Sequence, residues 1–149
     1  METIVKRAAG LDVHKAQVTA CVRVPGRGRE RIQEVAEFQT TVRGLLALRD
    51  WLKAHRVGQV GMEATGVYWK PVWAILEDEF DCLLVNARHV KQVPGRKTDV
   101  SDAAWLCQLL EAGLLARSSP ASASWHNHSA SLTSVLRPGT CFTFLALTT

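Results

Sequence analysis

The 149-residue sequence predicts an α/β fold in which a mixed β-sheet is flanked by helices. Three observations carry that expectation. Three strand-like segments follow one another near the N-terminus, as in a meander. Beyond them, helix and strand patterns alternate along the chain. A hydrophobic content of 47% over this length is ample for one packed core.

The elements read as follows. "IVKRAAGLDV" carries a short apolar strand ending near Asp12, and "AQVTACVRV" is rich in β-branched residues with partial alternation. "PGRGR" makes a turn. In "ERIQEVAEF", Ile32, Val35 or Ala36, and Phe38 alternate with polar residues, which fits a third strand, although a helix also suits so short a window. Thr40 or Thr41 caps a helix over "VRGLLALRDWLKAHR", where Leu45, Leu48 and Leu52 recur at three-to-four spacing and the other face is basic. "VGQVGMEAT" returns to strand character and runs into Glu63. "GVYWKPVWAILEDEF" then reads as a helix with Pro71 in its first turn, where a missing N–H costs little. "DCLLVNA" has the apolar run of a fully buried strand. A brief helix near "RHVKQV" stops at Pro94 and Gly95, and "DVSDAAWLCQLLEAGLL" forms a last amphipathic helix that Gly113 ends. Trp51, Trp73 and Trp105 fall on apolar helical faces and are assigned to the core.

Composition narrows the class. A net charge of +4 permits contact with a polyanion without establishing it. Cys21, Cys82, Cys107 and Cys141 are scattered, with no paired Cys/His spacing, which speaks against a zinc site or a disulfide scaffold. "METIVKRAAGLDVHK" has no signal-peptide core, and no apolar run approaches the roughly 20 residues that span a bilayer, so a cytoplasmic protein with no membrane partner is expected.

From Ala116 onward Asp, Glu and Lys are absent, and Ser, Ala, Thr and His crowd a stretch without periodicity. The expected organisation is a domain over residues 1–115 and an irregular tail over 116–149. Trp125, Phe142 and Phe144 are unusual in a solvated tail and point to an out-of-frame or truncated coding sequence. Without helices to follow it, the apolar face of "AAWLCQLLEAGLL" is expected to stand exposed and to drive association.

Four acids stand at the ends of expected elements: Asp12 closes the first strand, Glu63 closes the fourth, and Asp99 and Asp102 open the last helix. Helical positions three apart share a face, so Asp99 and Asp102 can point at one spot. Neighbouring parallel strands would bring Asp12 and Glu63 side by side at their C-terminal ends, where open sheets place their sites. Such a cluster is costly unless a cation sits within it. Mg²⁺ suits it, with hard oxygen ligands and retained waters, and the implied chemistry is phosphoryl transfer on nucleic acid. Each acid also has a plainer reading, since Asp99 and Asp102 near a helix start are favoured there by capping and the macrodipole alone. A carboxylate at the end of a buried strand, as at Asp12 and Glu63, needs a partner. Arg96 and Lys97 are placed to meet phosphate oxygens or to sit in an ordinary solvated loop, and His14 and Lys15 are similarly ambiguous. Tyr68 and Trp69 can stack a base or join the core.

"GLDVHK", "GMEATGVYW" and "GRKTDVSDAAWL" closely resemble, in order, spacing and flanking residues, the three blocks of the DEDD transposases of bacterial insertion sequences, the group that includes the Piv and MooV invertases. The resemblance covers about residues 8–115. It implies a RuvC-like, RNase H-like fold, with divalent metal, Mg²⁺ or Mn²⁺, bound by Asp12, Glu63, Asp99 and Asp102. It implies DNA strand cleavage and exchange by oligomers on DNA, guided in some members by a structured RNA from the element. Full members continue into a helical segment and a C-terminal domain with a serine nucleophile. Nothing after Leu115 resembles either, so a fragment not competent for recombination alone is expected. Two other readings of the same residues are a stand-alone Holliday-junction-type nuclease and a non-catalytic nucleic-acid-binding module.

Overall fold

The computed structural model describes residues 4–64, 66–96 and 101–115. The expected tail, and with it the boundary near residue 115, lies outside them. In chain order the elements are β1 (Ala8–Val13), β2 (Gln17–Pro25), β3 (Arg31–Gln39), α1 (Val42–Ala54), β4 (Gln59–Glu63), α2 (Trp69–Leu76), β5 (Asp81–Val85), α3 (Ala87–Gln92) and α4 (Asp102–Glu111). This is the order read from the sequence. The segment over Arg31–Gln39, which local pattern left open, is a strand because it pairs with β2 along its whole length, from Gln17↔Gln39 to Pro25↔Arg31.

The sheet order is β3-β2-β1-β4-β5. β1 pairs antiparallel with β2 and parallel with β4, and β4 pairs parallel with β5, so the sheet is mixed and β1 lies at its centre. Short hairpins join the antiparallel strands, whereas each parallel step needs a helical crossover, supplied here by α1 and α2.

Local chemistry sets the helix ends. The Thr41 hydroxyl accepts from the Gly44 N–H and Ser101 Oγ accepts from the Ala104 N–H, so α1 and α4 each open on a capped turn. α4 closes in a Schellman motif: Gly113, at φ +69°, donates to the Leu110 carbonyl and Leu114 to that of Leu109.

Two apolar layers sandwich the sheet. On one side Leu45, Leu48, Leu52, Val72 and Leu76, from α1 and α2, are fully or almost fully buried. On the other, Ala103, Leu106, Cys107, Leu109 and Leu110 of α4 pack with Ala8, Cys21, Leu83 and Val85 of the strands. The apolar face of α4 is therefore covered by the sheet and not left open as expected. Trp105 is buried and donates its indole N–H to the Val90 carbonyl, which ties α4 to α3. Trp51 and Trp73 correct the core assignment, for both are only half-buried. Trp51 meets Phe38 at a tilt and His55 edge-on at the margin, and Trp73 donates to Glu77 at 2.7 Å. Trp69, in contrast, is core. Among the described residues no helix is long and apolar enough to cross a membrane.

Candidate metal and nucleic-acid site

Two glycines position the site. A Cβ on Gly10 would overlap the carbonyl oxygen of Ala103 and lie 2.6 Å from the backbone nitrogen of Cys107. Gly10 pairs with Gly61 across the β1–β4 ladder, and a Cβ on Gly61 would meet Leu110 Cδ2 at 3.4 Å. Both glycines therefore face α4, and their missing side chains let the helix settle close to the strands. Cys107 adds a strap, with its thiol donating to the Ala8 carbonyl at 3.3 Å.

Strand side chains alternate, so Asp12 and Glu63, each two residues beyond its glycine, lie on that same face. Leu11 pairs with Met62, which puts Asp12 and Glu63 at the next level of adjoining strands. The direction of α4 completes the arrangement. Its C-terminal Glu111 carbonyl accepts from Ile4 and Val5 just before β1, while Ala103 lies over Gly10. The helix thus runs back along β1, and its first residue, Asp102, sits toward the edge where β1 and β4 end.

Asp12 and Asp102 are each engaged by a basic side chain. His14 Nε2 is 2.9 Å from Asp12 Oδ2, and Arg96 Nη1 is 2.8 Å from Asp102 Oδ1. Asp12 and Glu63 are half-buried, whereas the Asp102 side chain is 64% exposed. Among the described residues no three His, Cys, Asp or Glu side chains converge closely enough to hold a metal ion. Asp102 shares the edge with the strand acids while its carboxylate is turned to Arg96. Asp99 and Lys97 lie outside the described residues. Of the two acids expected to open the last helix, Asp102 is the first residue of α4, behind the Ser101 cap.

The remaining expected contacts gather at the same edge. Lys15 is exposed in the turn after β1, Tyr68 is 41% exposed just before α2 on the connection from β4, and Arg96 is exposed beyond α3, which follows β5. All three stand on connections that leave the C-terminal ends of parallel strands, the usual position for a site in an open α/β sheet.

Sequence reasoning left His14 ambiguous and did not find the glycine pair. The signal for His14 was its spacing from Asp12, since residues two apart on extended chain share a face. The signal for the glycines was their place inside two strand patterns, "AAGLDV" and "QVGME", where a glycine marks close approach of another backbone.

The arrangement of strands and helices is shared with a solved structure, RuvC of Thermus thermophilus, at a TM-score of 0.53 and 12% identity, over 75% of this chain and 99% of that one. So low an identity shows the fold alone, and it bears out the RuvC-like, RNase H-like expectation. No curated protein matches the chain. The family model of the IS110-type DEDD transposases, described as "Transposase", matches residues 9–130, a span that takes in the glycine pair, all four acids and the start of the stretch after Leu115. The chain belongs to the IS110-type DEDD transposase family.

Proposed function

We propose that Asp12, Glu63, Asp99 and Asp102 form the metal-binding centre of a transposase catalytic domain that cleaves and exchanges DNA strands. The observation that carries this reading is the adjoining placement of Asp12 and Glu63 at the ends of two parallel strands, with the N-terminus of α4 at the same edge. The donor set fits a hard divalent cation, because every proposed ligand is a carboxylate, and Mg²⁺ is favoured with Mn²⁺ as its substitute. A carboxylate-held pair of such ions, when bound, activates a water or hydroxyl and stabilises the leaving oxygen of a phosphodiester.

The protein's own groups do the rest. Asp12 and Glu63 are fixed by the strand ladder, so they meet a cation with little further ordering. Lys15, Arg96 and Lys97 hold backbone phosphates and set the register of the DNA. Tyr68 offers an exposed ring to a base. Family membership supports DNA as partner, and the same reading includes a homo-oligomer, an element-encoded guide RNA and action in the cytoplasm. Cys21 and Cys107 as buried free thiols agree with a reducing compartment.

Thermal melting of the full chain in Mn²⁺ or Mg²⁺ tests the proposal. A ligand at a hundred times its Kd adds about 2.7 kcal/mol of stability, and chelation should remove that gain. Asp12→Asn and Glu63→Gln should each abolish it while melting normally without metal. A melting temperature indifferent to both ions would end the proposal. Cleavage of a four-way junction, but not of other DNA, would favour the junction-nuclease reading instead.

A further inference from the structure

The pairs His14–Asp12 and Arg96–Asp102 differ in origin. His14 follows Asp12 by two residues, just past the end of β1, so their contact is local to the chain. Arg96 and Asp102 belong to no common element. Arg96 lies beyond α3 and Asp102 opens α4, yet Nη1 and Oδ1 are 2.8 Å apart. The two side chains are 37% and 64% exposed, so water screens the pair and holds it weakly. A guanidinium keeps its charge at every physiological pH and has the planar fork that suits both carboxylate and phosphate. At an edge that also carries Asp12 and Glu63, it offsets the repulsion that Asp102 would otherwise feel.

We infer that Arg96 is an exchangeable counter-ion. It occupies the Asp102 carboxylate while no divalent cation is bound, and it passes to a backbone phosphate of the DNA once a cation takes that carboxylate. Metal binding and DNA binding are then coupled through one side chain, and by linkage each strengthens the other. The inference rests on the metal-site reading proposed above and adds to it the competitor for one ligand and the destination of that competitor.

Two measurements on the full chain test it. The first is calorimetric titration with Mn²⁺ of the unmutated protein, Arg96→Gln, Arg96→Lys and Asp12→Asn. Removing the competitor should make Arg96→Gln bind Mn²⁺ about two- to fivefold more tightly, the range expected for loss of an exposed ion pair, while Arg96→Lys stays near the unmutated value. The second is the salt dependence of binding to a DNA duplex. With Mn²⁺ present, the log–log slope of the unmutated protein should exceed that of Arg96→Gln by about 0.9, the contribution of one phosphate contact. In chelator the two slopes should coincide.

If Arg96 only staples its loop to α4, Arg96→Gln loosens Asp102 and weakens Mn²⁺ binding, the opposite sign. Weaker or unchanged Mn²⁺ affinity in Arg96→Gln, with Asp12→Asn still abolishing binding, overturns this inference and leaves the metal site standing. Absence of Mn²⁺ binding by the unmutated protein, or binding unaltered by Asp12→Asn, overturns both.

Discussion

Gly10 of β1 lies directly beneath Ala103 of α4, so close that any side chain at residue 10 would overlap the Ala103 carbonyl. The obstacle is helix backbone, which cannot turn aside as a side chain can. Gly10→Ala should therefore lift the N-terminal half of α4 and cost about 2–3 kcal/mol, toward the upper end of what overpacking usually costs. At Gly61 the neighbour is the Leu110 methyl, 3.4 Å from where an added Cβ would stand, and a leucine tip can move. Gly61→Ala should cost under about 1 kcal/mol. Denaturant melts of both variants check the contrast, and equal losses would show that the two contacts are equivalent after all.

Glu111 anchors the other end of the same helix. Its carboxylate lies 2.8 Å from Arg23 Nε and 3.1 Å from Arg31 Nη2, and its side chain is only 10% exposed. Both arginines keep other acceptors, Gln33 Oε1 for Arg23 and the Lys6 carbonyl for Arg31, so they are not stranded when the acid is removed. The expected cost of Glu111→Ala is therefore about 2 kcal/mol, below the usual penalty for breaking a fully buried pair. Glu111→Gln should lose less, since its amide oxygen still accepts. Because the proposed metal site lies at the opposite end of α4, the Mn²⁺ affinity of Glu111→Gln should match that of the unmutated chain by calorimetry.

Glu77 supplies a pH dependence. Desolvation pushes its carboxyl above the usual carboxylate range, the neighbouring Asp78 adds to the rise, and the hydrogen bond from Trp73 opposes it. The folded chain thus holds this proton more tightly than the unfolded one, whose glutamate titrates at about 4.3. The resulting stabilisation is present below that value and is lost as pH rises through the elevated folded value. Glu77→Gln keeps an acceptor for Trp73 and removes the titration. Its melting temperature should exceed that of the unmutated chain near neutrality, and the difference should vanish as the pH falls below about 4. A difference that is constant with pH would show that Glu77 acts through packing alone.

Much of the architecture was legible along the chain because each element carried its own signal. Val18, Val22 and Val24 mark β2, the Leu45–Leu48–Leu52 stripe marks α1, and Pro71 and Gly113 mark the opening of α2 and the close of α4. The block motifs were equally local, so the resemblance that carried the family could be read without a structure. Trp51 and Trp73 were misassigned because periodicity reports which face of a helix is apolar and is silent on how far the neighbouring layer extends.

The sequence by itself determined the order of elements and the family, and it singled out the four candidate acids. Tertiary structure alone decided that β1 lies between β2 and β4, and hence that Asp12 and Glu63, far apart along the chain, adjoin on one face. It alone turned Asp102 toward Arg96 and brought α4 onto Gly10. The physical reason is range: capping, periodicity and turn preference act over a few residues, whereas strand pairing and helix-on-sheet packing bring together groups whose separation along the chain contains no record of their contact.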